Sequence, residues 1–574
     1  MTGPGPLARI VPNGAMVREM LAAEARLTLA PARAILMRNG LYRRLLLWGA
    51  PPARLLYHPV DAVPRRLEDA DALLGGRFRF AGETVEAGEG SIFNKPAPSR
   101  AWAGSLHGFA WLPPLVMAGG EPARKLAIDL TAQWLKRYPH YSEPAWSAPV
   151  MTRRLMMLLA HGETLFVGTP APFQKALLSS MREQGRLLPR ILDDVIPGIP
   201  RFEAVIAAAL AAVCLDDRIE RMDAALDRTE AEIARQIHAD GGHVSRSPEA
   251  LFHAYRYLTM LIDALTKTGR VVPQPLRSAH DRMAPMIRFF RHGDGGLALF
   301  HGGLESDPRI TTAMLARDEV RGQPHAHAPH SGFQRMAAGR SYVVMDCGGA
   351  PPPEFSRWAH ASALAFEFSA GPQRIVVNCG AALHQSEWSD ALRRTAAHST
   401  LVVADTSSAA IMPPGRLRRL FGARLQGGPA KVETNRMQTP YGAKVFASHD
   451  GYLTPFGIVH ERTLALGPQG AALNGTDRLV PQGKTRRGTL EFAIRFHVHP
   501  DVRLSPSQGG GVLLKLPDGE GWRFRAGGGQ VGIEESVYFG NGKTRKTEQI
   551  VVTAAVKQAP IEIGWLFEQI GNTK

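Results

Sequence analysis

Two stretches of the chain concentrate side chains that bind anions or move protons. The first is IHADGGHVSRSPEALFHAYRYL, residues 237–258. A helix should end near His238, a Gly-Gly turn follows, and Ser247-Pro248-Glu249 opens the next helix with a serine cap and an early proline. His243 and Arg246 then stand beside the free N–H groups of a helix start, an arrangement that suits a carboxylate. His253 and Tyr257 are four apart and share one helix face, while Tyr255 lies on another. An ordinary capped helix with a partly buried aromatic face would carry the same residues.

The second stretch runs from Trp358 to Thr400. His360 precedes a strand, Asn378-Cys379-Gly380 ends the next, and His398 begins another. Neighbouring strands can bring such positions to one end of a sheet. Two imidazoles with an oxygen or sulfur donor form a borderline-metal set. The spacing is not a local metal motif, and three structural polar residues would give the same pattern. Trp102, His107 and Trp111 suit either sugar stacking or a helical core. HAHAPH (325–330) sits in a Pro-rich loop, and His497 and His499 share one side of a strand.

The elements that position these residues change character along the chain. From about 105 to 290 apolar residues recur at helical spacing. FEAVIAAALAAVCL (202–215) reads as a buried helix and RIERMDAALDRTEAEIARQIH (218–238) as an amphipathic one. Pro/Gly breaks such as VIPGIPR (195–201) predict stacked helical hairpins. Beyond about 330 the period becomes two. SYVVMDC (341–347), ALAFEFSA (363–370), RIVVNCG (374–380), STLVVAD (399–405) and EFAIRFHVHP (491–500) predict many antiparallel strands. The fold class is therefore multidomain α+β, helices first and strands after. The expected boundaries are 1–104 (a basic segment and a small β-hairpin at 75–94), 105–325 (helical) and 326–574 (β-sandwich).

The net charge of +16 favours polyanionic partners, or simply reflects an Arg-rich composition. No basic helix–turn–helix, RNP-like or zinc-finger pattern accompanies the charge, so nucleic acid is not expected. Three cysteines, far apart and odd in number, argue against a disulfide framework. The first residues contain no uninterrupted apolar core of the length that export needs, and no run of about 18 apolar residues predicts a membrane span. Residues 14–48 read as a basic amphipathic segment able to lie on an anionic membrane surface or to pack on its own domain.

RWAHASALAFEFSAGPQRIVVNCGA, followed by LRRTAAHSTLVVADTSS, resembles the core of the heparinase II/III C-terminal domain. DGGHVSRSPEA resembles that family's loop in the helical domain. HDGY (449–452), VHERTLAL (459–466) and GTDRL (475–479) resemble its later strands. The resemblance spans about residues 90–555. It implies an (α/α) toroid followed by an antiparallel β-sandwich, and cleavage of uronate-containing acidic polysaccharides by β-elimination. It further implies a periplasmic setting, against which the leaderless N-terminus points to the cytoplasm.

Such chemistry needs the uronate carboxylate neutralised, a base for the C5 proton and an acid for the leaving oxygen. The family also carries a structural zinc in the sandwich, for which His360, Asn378, Cys379 and His398 stand at or near the ligand positions. The chain departs from the pattern at several of these places. Trp358 replaces the first His of an H-x-H turn, and Asn378 replaces an Asp ligand. Glu249, Ala250 and Leu251 stand where lyases have a tyrosine, and Pro200-Arg201 replaces an Asn-His pair. The resemblance then assigns carboxylate neutralisation to Arg201, His243 or Arg246, and the base to His253, Tyr255 or Tyr257. A catalytically altered carbohydrate-binding or envelope protein on the same scaffold is the alternative.

Overall fold

The computed structural model describes residues 14–49, 52, 54–61, 67–216, 218–305, 307–317, 324–382, 387–440, 442–482, 488–540, 544–557 and 560–571. The chain divides into two compact units that do not follow chain order. Residues 9–235 and 254–280 form a helical unit, and 236–253 with 281–574 form the other, which contains the sandwich. The helix Pro248–Lys267 therefore contributes its first turns to the sandwich unit and the rest to the helical unit.

In the helical unit, the apolar run expected at 202–215 forms the helix Ile199–Cys214, buried along almost its whole length. The amphipathic run forms Ile219–Gln236, and the hairpin pairs Arg77–Phe80 with Glu83–Glu86. Trp102 and Trp111 are fully buried, donating their indole N–H groups to Phe78 and Leu106 carbonyls at 3.2 and 3.1 Å. His107 accepts from the Trp134 indole at 3.3 Å. These three residues are core rather than a sugar platform. Arg154 is also fully buried. It donates to Gln184 Oε1 and to the His107 and Ala145 carbonyls, and its guanidinium lies 4.1 Å from the Trp134 ring centroid. Burial holds its pKa well below the usual arginine value. Neutral acceptors and an aromatic face together compensate the lost hydration.

The basic segment expected at 14–48 forms the helices Gly14–Arg38 and Gly40–Leu46. Leu29, Ile35, Leu36, Leu41, Leu45 and Trp48 are exposed there, whereas Arg43 is turned onto its own unit, bidentate on Glu183 at 2.6 and 2.8 Å. No described helix is long and apolar enough to cross a membrane.

In the sandwich unit two antiparallel sheets face each other. One has eight strands, in the order 432–439, 442–449, 458–466, 472–481, 561–570, 521–527, 511–515 and 503–507. The other has nine: 530–538, 545–556, 490–498, 373–377, 366–370, 341–346, 333–338 and 327–328, with Leu401–Val403 also pairing with 490–498. Phe366, Phe368, Phe496, Trp522, Phe524, Trp565 and Phe567 fill the space between the sheets. Phe366 and Trp565 stack with centroids 5.5 Å apart.

Trp565 has room because its cross-strand neighbour is Gly475. A Cβ at that position would overlap the indole ring. Gly475→Ala should therefore destabilise the sandwich by about 1–3 kcal/mol through overpacking. Chemical denaturation would measure the change, and an unaltered midpoint would show that the ring has another place to go.

Candidate functional site

The loop between the helices Ile219–Gln236 and Pro248–Lys267 is set by close backbone approach. Gly241 has φ +86°, and a Cβ there would run into the Arg282 carbonyl. A Cβ on Gly242 would overlap the Ser331 hydroxyl. Ser247 caps the next helix, its hydroxyl accepting from Ala250 N at 3.3 Å, as its sequence position predicts. Between these fixed points Arg246 adopts φ +63°, a left-handed conformation uncommon for a non-glycine residue.

That conformation aims the guanidinium into the sandwich unit, and its hydrogen bonds are nearly all used there. Nε donates to Ser331 O at 2.9 Å, Nη1 to Gly349 O at 2.7 Å, and Nη2 to Gly332 O at 2.9 Å and to Asp346 Oδ1. Phe333 lies under it at 4.7 Å. Asp346, at the end of the strand Ser341–Asp346, is fully buried. Its Oδ2 accepts from His301 Nε2 at 3.1 Å and from the Ser362 hydroxyl at 2.7 Å. Burial opposes the charge on Asp346, but Arg246 and these donors outweigh it and hold the carboxyl well below the ordinary range. His301 Nδ1 in turn accepts from His360 N at 3.2 Å.

His360 continues the chain of contacts. Its Nδ1 lies 2.9 Å from His398 Nε2, and His398 Nδ1 lies 2.8 Å from the Arg394 carbonyl. That carbonyl can only accept, so His398 carries its proton on Nδ1 and receives His360's on Nε2. Burial keeps both imidazoles neutral, with His398 lowered to about 4 and His360 also held well below the ordinary histidine value. The cavity lined by Arg246, His301, Asp346, His360 and Ser362 measures about 10 Å³, at the lower limit of what one water needs.

The other residues singled out in the sequence lie elsewhere in the two units. His243 is buried, with Nε2 2.8 Å from Gln236 Oε1 and Nδ1 2.7 Å from Ser245 Oγ. Burial lowers its pKa to about 3. His253 is about one-third exposed, 3.6 Å from Glu249. In the helical unit, Arg201 pairs with Asp193 at 3.3 Å and Glu232 at 3.4 Å. Tyr255 is buried and stacked on His280 at 4.5 Å. Tyr257 is buried too, and burial together with Glu203 raises its phenol far above the ordinary value.

Of the four expected zinc donors His360 and His398 meet, while Asn378 and Cys379 are engaged elsewhere. Asn378 spends its Nδ2 on Glu367 Oε1 and Leu299 O, and its Oδ1 accepts from Ser399 N at 3.1 Å. Cys379 Sγ instead approaches His497 Nδ1 at 3.4 Å. Among the described residues no group of three or more His, Cys, Asp or Glu side chains is placed to hold a metal ion. Two imidazoles and an occupied amide fit a structural zinc poorly, since such sites use four ligands rich in thiolate and imidazole.

His301, Asp346 and Ser362 were not singled out in the sequence, nor was the His292–Glu367 pair at 3.0 Å. The signal for His301 and His292 was the Gly- and His-rich stretch 291–303, which reads equally well as a linker.

Residues 320–566 match the model of the heparinase II/III-like C-terminal domain. The chain belongs to the heparinase II/III-like family. It is 33% identical over 525 residues to FtsZ-localized protein C of Caulobacter vibrioides, covering 90% of each chain. It is similar in structure to a heparan sulfate lyase from Pedobacter heparinus, with a TM-score of 0.62 and 16% identity over 98% of this chain and 92% of that one. A crystal structure of heparinase III gives a TM-score of 0.66 at 13% identity, over 96% and 91%. The helical toroid followed by an antiparallel sandwich is thus the architecture of this chain.

Two outcomes follow from this geometry. His398 and His243 are held neutral in the fold, whereas the unfolded chain protonates its histidines near 6.5. Their folded values are the lower ones, so their contribution is complete above about pH 6.5. Denaturation midpoints measured at successive pH values should decline as pH falls from about 6.5 toward 4, and a flat profile would contradict the assignment. The second outcome concerns the metal. Chelator-treated and untreated protein should melt at the same temperature, with zinc well below one per chain by elemental analysis. One tightly held zinc whose removal lowers the melting temperature would reinstate the metal site.

Proposed function

We propose that this protein is a catalytically altered member of its family, a carbohydrate-engaging cell-envelope protein that acts at the division site. The observation that carries the reading is the closure of the Arg246 cluster. β-Elimination needs a cation free to neutralise the uronate carboxylate, and here Arg246 already neutralises Asp346. His243 has both ring nitrogens engaged. The Tyr257 phenol is held protonated by burial beside Glu203, which opposes the ionisation a base requires. The relationship to FtsZ-localized protein C, over nine-tenths of both chains, supports placement at the division ring. The exposed Leu29, Ile35, Leu36, Leu41, Leu45 and Trp48 support peripheral contact with an anionic membrane.

A polysaccharide lyase acting on uronate-rich glycans is the second reading. It is favoured by the family and by His253, which is partly exposed beside Glu249 and is the member of the expected base set accessible to a substrate.

One set of measurements separates the two. Absorbance near 232 nm should stay flat when the purified protein is incubated with heparan sulfate, hyaluronan or alginate, because no unsaturated uronate forms. A fluorescent fusion should concentrate at midcell, and the protein should co-sediment with anionic vesicles. A rise at 232 nm that His253→Ala abolishes would establish the lyase instead. A diffuse fusion that ignores vesicles would remove the division-site placement.

A further inference from the structure

A second cavity lies wholly within the sandwich unit and uses none of the Arg246 cluster. Along the strand Leu490–Val498, Ile494, Phe496 and Val498 enter the sandwich core, so His497 points the other way. The ends of the strands Gln530–Tyr538 and Arg545–Val556 lie beside it. Cys379, Leu392 and Ala397 are held against them, with Phe539, in a small apolar cluster of their own. The space left between these elements measures about 920 Å³. That is the upper end of the range for small-ligand sites, roughly 300–1,000 Å³, and it stands against about 10 Å³ in the Arg246 cluster.

The floor of the cavity is hydrogen-bonded within the unit. His497 Nε2 donates to the Ala396 carbonyl at 2.9 Å, which leaves Nδ1 to accept from the Ser536 hydroxyl at 2.8 Å. Cys379 Sγ reaches the same nitrogen at 3.4 Å, which accounts for the cysteine that the zinc expectation had claimed. Burial lowers the His497 pKa to about 3, so the ring brings hydrogen bonds and no charge.

The walls differ in kind from the floor. Trp388 sits on the short helix Trp388–Ala391, braced by the Phe539 ring at 5.7 Å yet 37% exposed. A large indole left open at the wall of a cavity offers a flat apolar face of the kind that packs on pyranose C–H surfaces. Arg394, Arg503 and Lys546 line the same cavity, all exposed, and among the described residues none of the three has an ion-pair partner. Glu535 and Glu548 face each other across paired strands at the same cavity. Opposed carboxylates are unfavourable on their own, and ligand hydroxyl groups would supply the donors they lack.

We propose that this cavity is a binding site for an oligosaccharide that carries carboxylates, with Trp388 as the stacking face and Arg394, Arg503 and Lys546 as the carboxylate-reading cations. The assignment rests on the reading of the protein as carbohydrate-engaging, and it moves recognition away from the Arg246 cluster to the open part of the sandwich. The mixture of one aromatic face, three cations and hydroxyl acceptors is what distinguishes a charged sugar from a simple anion, which would need no stacking surface. An apolar peptide, in turn, would need no unpaired cations.

Isothermal titration of the full-length protein with tetragalacturonate and with neutral chitotetraose tests the proposal. Tetragalacturonate should bind, and Trp388→Ala should weaken it at least tenfold with an unchanged melting temperature, since the side chain is already partly exposed. The double variant Arg394→Gln/Lys546→Gln should weaken binding and flatten its dependence on salt. Binding that both variants leave intact would overturn this site while leaving the carbohydrate reading in place. Equal binding of chitotetraose, unaffected by the double variant, would overturn the carboxylate assignment. If neither tetragalacturonate nor heparan sulfate binds the wild-type protein, the carbohydrate reading itself fails, and this site with it.

Discussion

Much of the sandwich unit is organised around one buried ion pair, Arg246 with Asp346. The arginine comes from a loop that precedes a helix, the aspartate from the end of a strand, and both are buried. Charges removed from water require almost every hydrogen-bonding position to be filled, because an unpaired buried charge costs several kcal/mol. That requirement accounts for the surroundings. The Ser331, Gly332 and Gly349 carbonyls turn toward the guanidinium, and Ser362 and His301 turn toward the carboxylate. The left-handed backbone at Arg246 is the local strain that such a well-satisfied pair can hold in place. A guanidinium held this firmly has little left to offer a substrate.

A second buried pair follows the same logic further along the chain. Arg462 and Asp477 come from adjacent strands of the eight-stranded sheet and are bidentate at 2.8 and 3.0 Å. Arg462 also reaches the Leu364 and Ser399 carbonyls at 2.8 and 2.9 Å, which links segments of both sheets. His460 and the Trp565 indole complete the carboxylate at 2.7 and 2.8 Å, and His449 follows His460 at 3.2 Å. The family-like segments HDGY, VHERTLAL and GTDRL are the strands that carry this network. In this chain they hold the two sheets together.

The fold was largely legible because its signals are periodic. Helical spacing through 202–238 and alternation after 330 each repeat over many residues, so an error at one position leaves the pattern intact. The site was less legible because it is assembled from single residues far apart in sequence. Arg246 was identifiable from its place before a capped helix, but its partner Asp346 is 100 positions away in a strand that reads as ordinary β-structure. Cys379 adjoins Asn378, and adjacency suggested a shared metal. Successive residues on extended backbone point opposite ways, and here the amide turned to Glu367 while the thiol turned to His497. Tyr255 and Tyr257 had the right chemistry for a base, and their burial could not be read from a sequence in which every helix has one apolar face.

These arrangements show which side chains the family architecture depends on and which it does not. Replacing an exposed group costs the fold little, so Trp358 can stand where the family has another residue. Asn378 and Arg201, by contrast, are tied into their units, the first by hydrogen bonds to Glu367, Leu299 and Ser399 and the second by ion pairs to Asp193 and Glu232. Removing one member of a buried, fully bonded pair leaves the other uncompensated, and such changes are strongly destabilising. The fold itself therefore depends on Arg246, Asp346, Arg462 and Asp477. Function on such a scaffold is better sought where the surface is open and its charges are unpaired than where the inherited polar residues are densest.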